Sequence, residues 1–441
     1  MHTLQQLLSG ELKGSKTLKL SCELKTFPNE IFELADTLEI LDLSGNQLSQ
    51  LPHNFDELKK LKIAFFSDNL FTEFPKVLAN CPNLTMIGFK SNKIATIPEH
   101  AFSVHLQWLI LTNNFITEIP KSIGICSKLQ KVALAGNQLQ HLPIEMAQCQ
   151  NIQLLRISAN QLIELPQWLL TLPRLAWLAC SGNPFSITNP IQLELPFISW
   201  NTLTIINTLG EGASGIISKA AWQNDAQQND VAVKVFKGEV TSDGYPEDEM
   251  QTCILAGEHP NLVKVIGKIN HHPEQKMGLV LELIPASFTN LAAPPSFDTC
   301  TRDVFFKNRK FSWNHILKIT QAIADASRHL HSKGIMHGDL YAHNTLIDEH
   351  GNTIFGDFGA ATIYDTNHAN ASYYEKIDVR AFGYLMDDLI QQAEDKNIND
   401  FINQHMAMIK EKCLHENILA RPSFQEIVTA LHAISAKNLN V

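Results

Sequence analysis

The 441-residue sequence predicts an α/β solenoid of short stacked repeats followed by a separate α+β domain that carries chemistry. Three observations predict it. Asparagines recur at Asn46, Asn69, Asn92, Asn114, Asn137, Asn160 and Asn183, in steps of 23, 23, 22, 23, 23 and 23 residues. A glycine-rich stretch at Gly210, Gly212 and Gly215 runs into an apolar strand interrupted by Lys234. Further on, Asp339 and Asn344 stand five residues apart in His337-Gly338-Asp339-Leu340-Tyr341-Ala342-His343-Asn344, between apolar segments. A carboxylate there can accept a hydroxyl proton, and the amide oxygen can reach a metal ion beside it.

Length and composition bound the reading. A chain of 441 residues exceeds one ordinary core, so two or three domains are expected. Hydrophobic content of 44% against 18% charged residues supplies ample material for those cores. A formal charge of −10 argues against a nucleic-acid surface, which needs a basic stripe. Met1 to Lys13 holds no basic region followed by an apolar run, so no secretory signal is expected. Runs such as Leu279 to Ile284 are too short for a membrane span. No two of the eight cysteines form a C-x-x-C pair. Cys81, Cys126 and Cys149 share one place in the repeat and read as small buried residues, which fits a reducing, cytoplasmic compartment.

Each repeat builds on the same frame. Apolar residues stand eight, five and three positions before the asparagine, as Leu129, Val132 and Leu134 do before Asn137. Prolines follow six residues behind, at Pro52, Pro75, Pro98, Pro120, Pro143 and Pro166. One short strand and one bend cannot bury an apolar face alone, but stacked copies share a continuous core. The asparagine side chain is placed to bond backbone groups at the bend. This pattern resembles the leucine-rich repeat over residues 16–187, and residues 1–187 are expected to form that domain.

Two sets of strand positions are expected to face out of the concave sheet. One holds Ile40, Ile63, Met86, Trp108, Lys131, Leu154 and Trp177; the other holds Asp42, Phe65, Gly88, Ile110, Ala133, Arg156 and Ala179. An apolar stripe with Trp108, Trp177 and Phe65 suits a protein partner on the concave face. The alternative is intramolecular packing against the second domain. Residues 188–199, with Pro190 and Pro196 and no flexible-linker composition, are expected to cap the solenoid and form a stiff junction.

The second domain, residues 200–435, opens with Gly210-x-Gly212-x-x-Gly215, a spacing that brings backbone N–H groups close to phosphates. A dinucleotide fold would follow it with a helix; here a strand follows, Val231-Ala232-Val233-Lys234-Val235-Phe236. Lysine in an apolar strand needs an anionic partner. Glu249 on the next expected helix is the best candidate for that ion pair, with Glu247 as a rival because the spacing does not decide. Strands are expected at Leu262–Ile266 and Gly278–Ile284, with Leu281 and Glu282 where a nucleotide pocket would end.

In order, Gly210-x-Gly212-x-x-Gly215, Val231-Ala232-Val233-Lys234, His337-Gly338-Asp339 with Asn344, Asp357-Phe358-Gly359, Asp378-Val379-Arg380-Ala381-Phe382-Gly383 and Arg421-Pro422-Ser423 resemble a eukaryotic-type protein kinase domain. The whole chain resembles bacterial leucine-rich-repeat protein kinases. The resemblance implies a two-lobed α+β protein kinase-like fold that uses ATP and Mg²⁺, with serine or threonine of proteins as acceptor. It implies that Gly210, Gly212, Gly215, Ala232, Lys234 and Glu282 hold the nucleotide. Glu249 would fix Lys234, Asp339 would accept the hydroxyl proton, and Asn344 and Asp357 would hold the metal. Asp378 would tie down the backbone of the Asp339 loop, or else cap a helix.

Several positions depart from the pattern. Gly338 replaces an arginine that normally meets a phosphorylated activation segment, and Tyr341 replaces a lysine near the γ-phosphate. His343 is expected either to supply part of that missing charge or to pack against its neighbours. Only Ala360 to Ile377 separates Asp357-Phe358-Gly359 from Asp378, with no Ala-Pro-Glu; Thr362, Thr366 and Ser372 are the hydroxyls available there for modification. Two further readings are a small-molecule phosphotransferase of kinase-like fold and a nucleotide-binding pseudokinase scaffold.

Overall fold

The structure, a computed structural model, describes residues 2–186, 195–212, 214–224, 227–238, 240–394 and 401–438. The chain divides into two compact units, Met1–Leu175 with Asn183–Phe185, and Ala176–Gly182 with Ser186–Val441.

The first unit starts with a one-turn helix, α1 (Leu4–Leu8), closed by a capping box between Thr3 and Gln6. Six three-residue strands follow one another from β1 (Thr17–Lys19) through β2 (Ile40–Asp42), β3 (Ile63–Phe65), β4 (Met86–Gly88), β5 (Trp108–Ile110) and β6 (Lys131–Ala133), and β7 (Leu154–Arg156) completes the run. Each pairs in parallel with the next, in a register that sets Ile40, Ile63, Met86, Trp108, Lys131 and Leu154 side by side. The asparagines do more than serve their own bend. Asn137 Nδ2 donates to the carbonyls of Leu134 and Leu111, both at 2.9 Å, while its Oδ1 accepts from Ile116 N–H at 3.1 Å. One side chain therefore satisfies buried backbone groups of two adjacent repeats.

Across from the strands, Pro75, Pro120 and Pro143 precede 3-10 turns at Lys76–Asn80, Lys121–Ile125 and Ile144–Gln148. Proline suits that place because its φ is preset and its missing N–H has no partner to lose there. After Pro166 the turn becomes a short helix, α2 (Gln167–Leu170). Cys81, Cys126 and Cys149 each close one 3-10 turn and are fully buried, as the repeat register predicts. Burial pushes their thiols up to about 12, 12 and 11, which keeps them protonated and inert.

The expected outward stripe is not an open one. Trp108 is only 8% exposed, and Ile63, Met86 and Trp108 form a buried cluster with Ile40, Phe65 and Ile110 packed against it. Neighbouring strands about 4.8 Å apart bring successive large side chains into contact along the stripe. Lys131 lays its ammonium 4.2 Å from the Trp108 ring centroid.

The second unit takes in β8 (Trp177–Ala179), so Trp177 does not face a solvent-filled concavity either; it is 1% exposed. Residues 188–194 of the expected junction lie outside the described residues. Its remainder forms β9 (Phe197–Ser199), which pairs in parallel with β13 (Val265–Asn270) at the sheet edge. That sheet has the order β10-β11-β12-β14-β13-β9, where β10 is Leu203–Glu211, β11 Gly215–Asn224, β12 Gln227–Phe236 and β14 Gly278–Glu282. Its remaining pairs are antiparallel. Strand β13 starts three residues later than the apolar run suggests, because Leu262 bridges Phe355 instead. Between β12 and β13 lies α3 (Pro246–Ala256), with Pro246 at its first turn and three acidic residues behind it, a favourable arrangement for a helix N-terminus.

The rest of the unit is mainly helical. Helix α4 (Trp313–Ser332) and α5 (Ala371–Gln391) carry its core, with α6 (Phe401–Cys413) and α7 (Phe424–Asn438) packed on them. Between β14 and α5 run β15 (Thr289–Asn290), β16 (Ile335–Met336), β17 (Thr345–Ile347), β18 (Thr353–Phe355) and β19 (Thr362–Ile363). They pair as the ribbons β15-β17-β18 and β16-β19, which hold the Asp339 loop and the Asp357-Phe358-Gly359 turn next to each other. Among the described residues no helix is long and apolar enough to cross a membrane.

Candidate active site

The site forms where the sheet meets the two ribbons. Lys234 sits on β12, and its ammonium pairs with the Glu249 carboxylate on α3. Glu249 is 2% exposed, so this is a buried ion pair, and it decides between the two carboxylates; Glu247 is not the partner. Burial pushes the Lys234 pKa down, but the Glu249 carboxylate, with the Asp357 charge nearby, outweighs it and the net shift is upward. Lysine therefore stays cationic where an anionic ligand would meet it.

Lys234, Glu249 and Asp357 line a cavity of about 210 Å³ together with Gly212, Gly215 and Leu281. The glycine hairpin over it is closed by Gly212 N–H donating to Gly215 O at 2.9 Å. Not every expected nucleotide contact is in this cavity. Gly210 lies on the exposed flank of the hairpin, Ala232 is buried opposite Leu281 in the sheet, and Glu282 lines a separate cavity of about 400 Å³ with Lys264 and Phe288.

The Asp339 loop is tied down from below. Asp378, 1% exposed, accepts from the backbone N–H groups of His337 at 2.7 Å and Gly338 at 3.0 Å. His331 Nε2 lies 3.0 Å from the same carboxylate. Asp378 is not a helix cap, since α5 begins seven residues earlier, at Ala371. His337 is fully buried and stacks on Phe355, with centroids 4.2 Å apart. Burial lowers its pKa and keeps it neutral. Its Nδ1 accepts from Asp339 N–H at 3.2 Å, so the ring proton is on Nε2 and is donated to Gly356 O at 3.1 Å. One imidazole thus joins the Asp339 loop to the residue before Asp357.

Asn344 Nδ2 donates to the Asp339 carboxylate at 2.8 Å and to the Asp339 carbonyl at 3.0 Å. This orientation turns the amide oxygen away from Asp339, where a cation would need it. Gly356 N–H donates to Asn344 O at 3.2 Å, which sets Asn344 beside Asp357. Asp357 adopts φ of +62°, a conformation that costs an aspartate energy and is found at functional turns. The Asn344 amide oxygen and the Asp357 carboxylate are oxygen donors of the kind a hard divalent cation takes alongside phosphate and water.

His343 pairs with a carboxylate, a partner that neither expectation named. Its backbone N–H and its Nδ1 both meet the Asp303 carboxylate, at 3.1 and 2.7 Å. Burial lowers its pKa, but Asp303 and the nearby Asp339 and Asp357 outweigh that and the net shift is upward. Asp303 was not legible as a site residue, because it lies in an irregular stretch with no motif. Tyr341 is buried and stacked on Trp177, and Thr362 is buried in β19, which removes it as an accessible modification site. Glu375 accepts from Phe424 N–H at 2.8 Å, beside Arg421, whose guanidinium donates to the carbonyls of Lys376 and His415.

Comparison with known proteins agrees with this geometry. Residues 203–381 match the family described as protein tyrosine and serine/threonine kinase, and residues 37–58 and 104–162 match leucine rich repeat families. A probable serine/threonine-protein kinase of Dictyostelium discoideum is 25% identical over 276 residues, covering 54% of this chain and 28% of that protein. A probable LIM domain-containing serine/threonine-protein kinase of the same organism is 27% identical over 269 residues, covering 52% of this chain and 39% of its own length. A putative serine/threonine-protein kinase/receptor of Acanthamoeba polyphaga mimivirus is 25% identical over 273 residues, covering 53% and 15%. The chain therefore spans well under half the length of these curated relatives, and the likeness is to leucine-rich repeats followed by a serine/threonine-type kinase domain.

Proposed function

We propose that this protein is an ATP-dependent protein kinase that transfers phosphate to serine or threonine, with its repeats serving recognition or intramolecular control. The observation that carries the reading is the Lys234–Glu249 pair and Asp357 around one cavity, with the Asn344-supported Asp339 tied through His337 to Gly356, the residue before Asp357. Lys234 would draw in the α and β phosphates, and Gly212 and Gly215 would cover them. Asn344 and Asp357 would hold Mg²⁺, which when bound neutralises phosphate charge as the γ-phosphoryl group departs. Asp339 would orient the acceptor hydroxyl and take its proton. The small-molecule reading is not favoured by the relatives, and a scaffold without catalysis leaves the intact Asp339–Asn344 pair without a role.

A cytoplasmic location and a protein partner on the repeats belong to this proposal, with Phe65, Ile40 and Ile110, the half-buried members of the stripe, as its contact points. The bacterial part of the whole-chain resemblance also remains a proposal, since the relatives named above come from an amoeba and a virus. The acceptor class is tested by incubating the protein with Mg²⁺, labelled ATP and dephosphorylated casein, followed by phosphoamino-acid analysis. Phosphoserine or phosphothreonine is expected. Label in phosphotyrosine alone, or only as free phosphate, would contradict the assignment.

A further inference from the structure

Seven residues of the second unit, Ala176–Gly182, touch the Asp339 loop, β19 and α3 of the candidate site. The Trp177 indole N–H donates to the Leu340 carbonyl at 3.1 Å, next to Asp339. Its ring lies flat on Tyr341, with centroids 4.4 Å apart and planes 5° from parallel, and it stacks on Tyr384 of α5 at 5.3 Å. A buried stack and a buried hydrogen bond hold the loop on Trp177, and the second stack anchors Trp177 to α5. The next residue explains the glycine at 338. A Cβ on Gly338 would stand 2.2 Å from Leu178 O and 2.8 Å from Ala360 O, and Gly338 has φ of +70°. No larger side chain fits while β8 is in place.

The same segment then reaches two other elements. Cys180 N–H donates to Thr362 Oγ1 at 3.4 Å in β19, the strand that follows Asp357-Phe358-Gly359. Gly182 abuts Tyr245 and Asp248 at the start of α3, where an added Cβ would stand 2.7 Å from the Tyr245 ring and 2.9 Å from Asp248 Oδ2. Glu249, the partner of Lys234, is the adjacent residue on that helix. The backbone that crowds Gly338 therefore also braces the helix that aims Glu249.

We propose that Trp177 is a positioning residue for phosphoryl transfer, and that Ala176–Gly182 is the brace that holds the Asp339 loop, β19 and α3 in their working arrangement. The inference rests on the kinase reading above. Trp177 touches neither the nucleotide cavity nor the Asp339 carboxylate, so its removal should loosen the geometry of transfer and leave nucleotide binding alone. A displacement of about 1 Å at a reacting group is enough to cost on the order of 100-fold in rate.

The test uses the full chain with Mg²⁺, ATP and dephosphorylated casein, comparing wild type, Asp339→Asn, Trp177→Phe and Trp177→Ala. Trp177→Ala is expected to lower kcat by about 10- to 100-fold with the KM for ATP and the affinity for ADP within about twofold of wild type. Trp177→Phe, which keeps a stacking ring and loses the donor to Leu340, is expected to recover most of the rate and stay about threefold below wild type. Thermal unfolding of each variant reports the folded fraction. If Trp177→Ala does not fold at the assay temperature, Trp177→Phe decides alone. Equal kcat in wild type and the Trp177 variants would overturn the inference, and so would a rise in kcat, which would make Trp177 a restraint. A rise in the KM for ATP matching the fall in kcat would overturn it as well. Wild type no more active than Asp339→Asn would instead remove the kinase reading itself.

Discussion

Asp248 shows how closely a single residue of this site is tuned. Burial pushes its carboxyl up to about 6, against a hydrogen bond from Ser181 that holds it down. Its ordinary value is 3.8, so the fold favours the protonated acid. An acid raised in this way supports the fold fully below its unfolded pKa and withdraws that support as pH rises through the folded one. At neutral pH the ionised group should then cost about 2–3 kcal/mol. Asp248→Asn, which has no proton to lose, is expected to raise the unfolding temperature at pH 7.5, and the gain should close below pH 4. A gain of equal size at both pH values would contradict the assignment. The neighbouring pair shows what sequence could and could not tell at this scale. Lys234 in an apolar strand announced a buried anion and Glu249 was the best candidate for it, yet spacing alone did not exclude Glu247. Only the burial of one helical face, which leaves Glu249 2% exposed, separates them.

At the scale of elements, the repeats were the most legible part of the chain. A period of 22 or 23 residues fixes one strand per turn of solenoid, and the parallel register follows from it. The asparagine ladder predicts a specific loss. Asn137→Ala would strand the Ile116 N–H in the core and take one of two amide donors from the Leu111 and Leu134 carbonyls, which keep Asn114 and Asn160, at a cost of about 1–3 kcal/mol. Urea titration should show a lower midpoint; an unchanged midpoint would mean that water replaces the side chain. What periodicity could not reveal is what covers a strand face. It left two readings of the stripe, a partner face or packing against the second domain, and could not choose, because alternation tells direction and not occupancy. Trp177 meets Leu340 and Tyr341, 163 and 164 residues further along, a contact no local pattern encodes. Asp303, which binds His343, was hidden for the same reason: it stands in a loop, and its partner is 40 residues away.

At the scale of the molecule, the two units divide the labour of structure and chemistry. The first repeats one solution to backbone satisfaction. The second assembles its site from residues spread between Gly212 and Asp378, and two departures from the expected pattern have a physical cause. Gly338 is small because Leu178 O occupies its place, and Tyr341 is aromatic because Trp177 lies on it. The reacting core is untouched by these changes. The central claim is that Asp339 serves phosphoryl transfer, and the most direct measurement is label transfer from γ-labelled ATP in the presence of Mg²⁺ by wild type and Asp339→Asn, with ADP binding followed in parallel. Transfer should fall by at least about 100-fold in Asp339→Asn while ADP affinity stays within about twofold. Equal labelling by the two proteins would contradict the account.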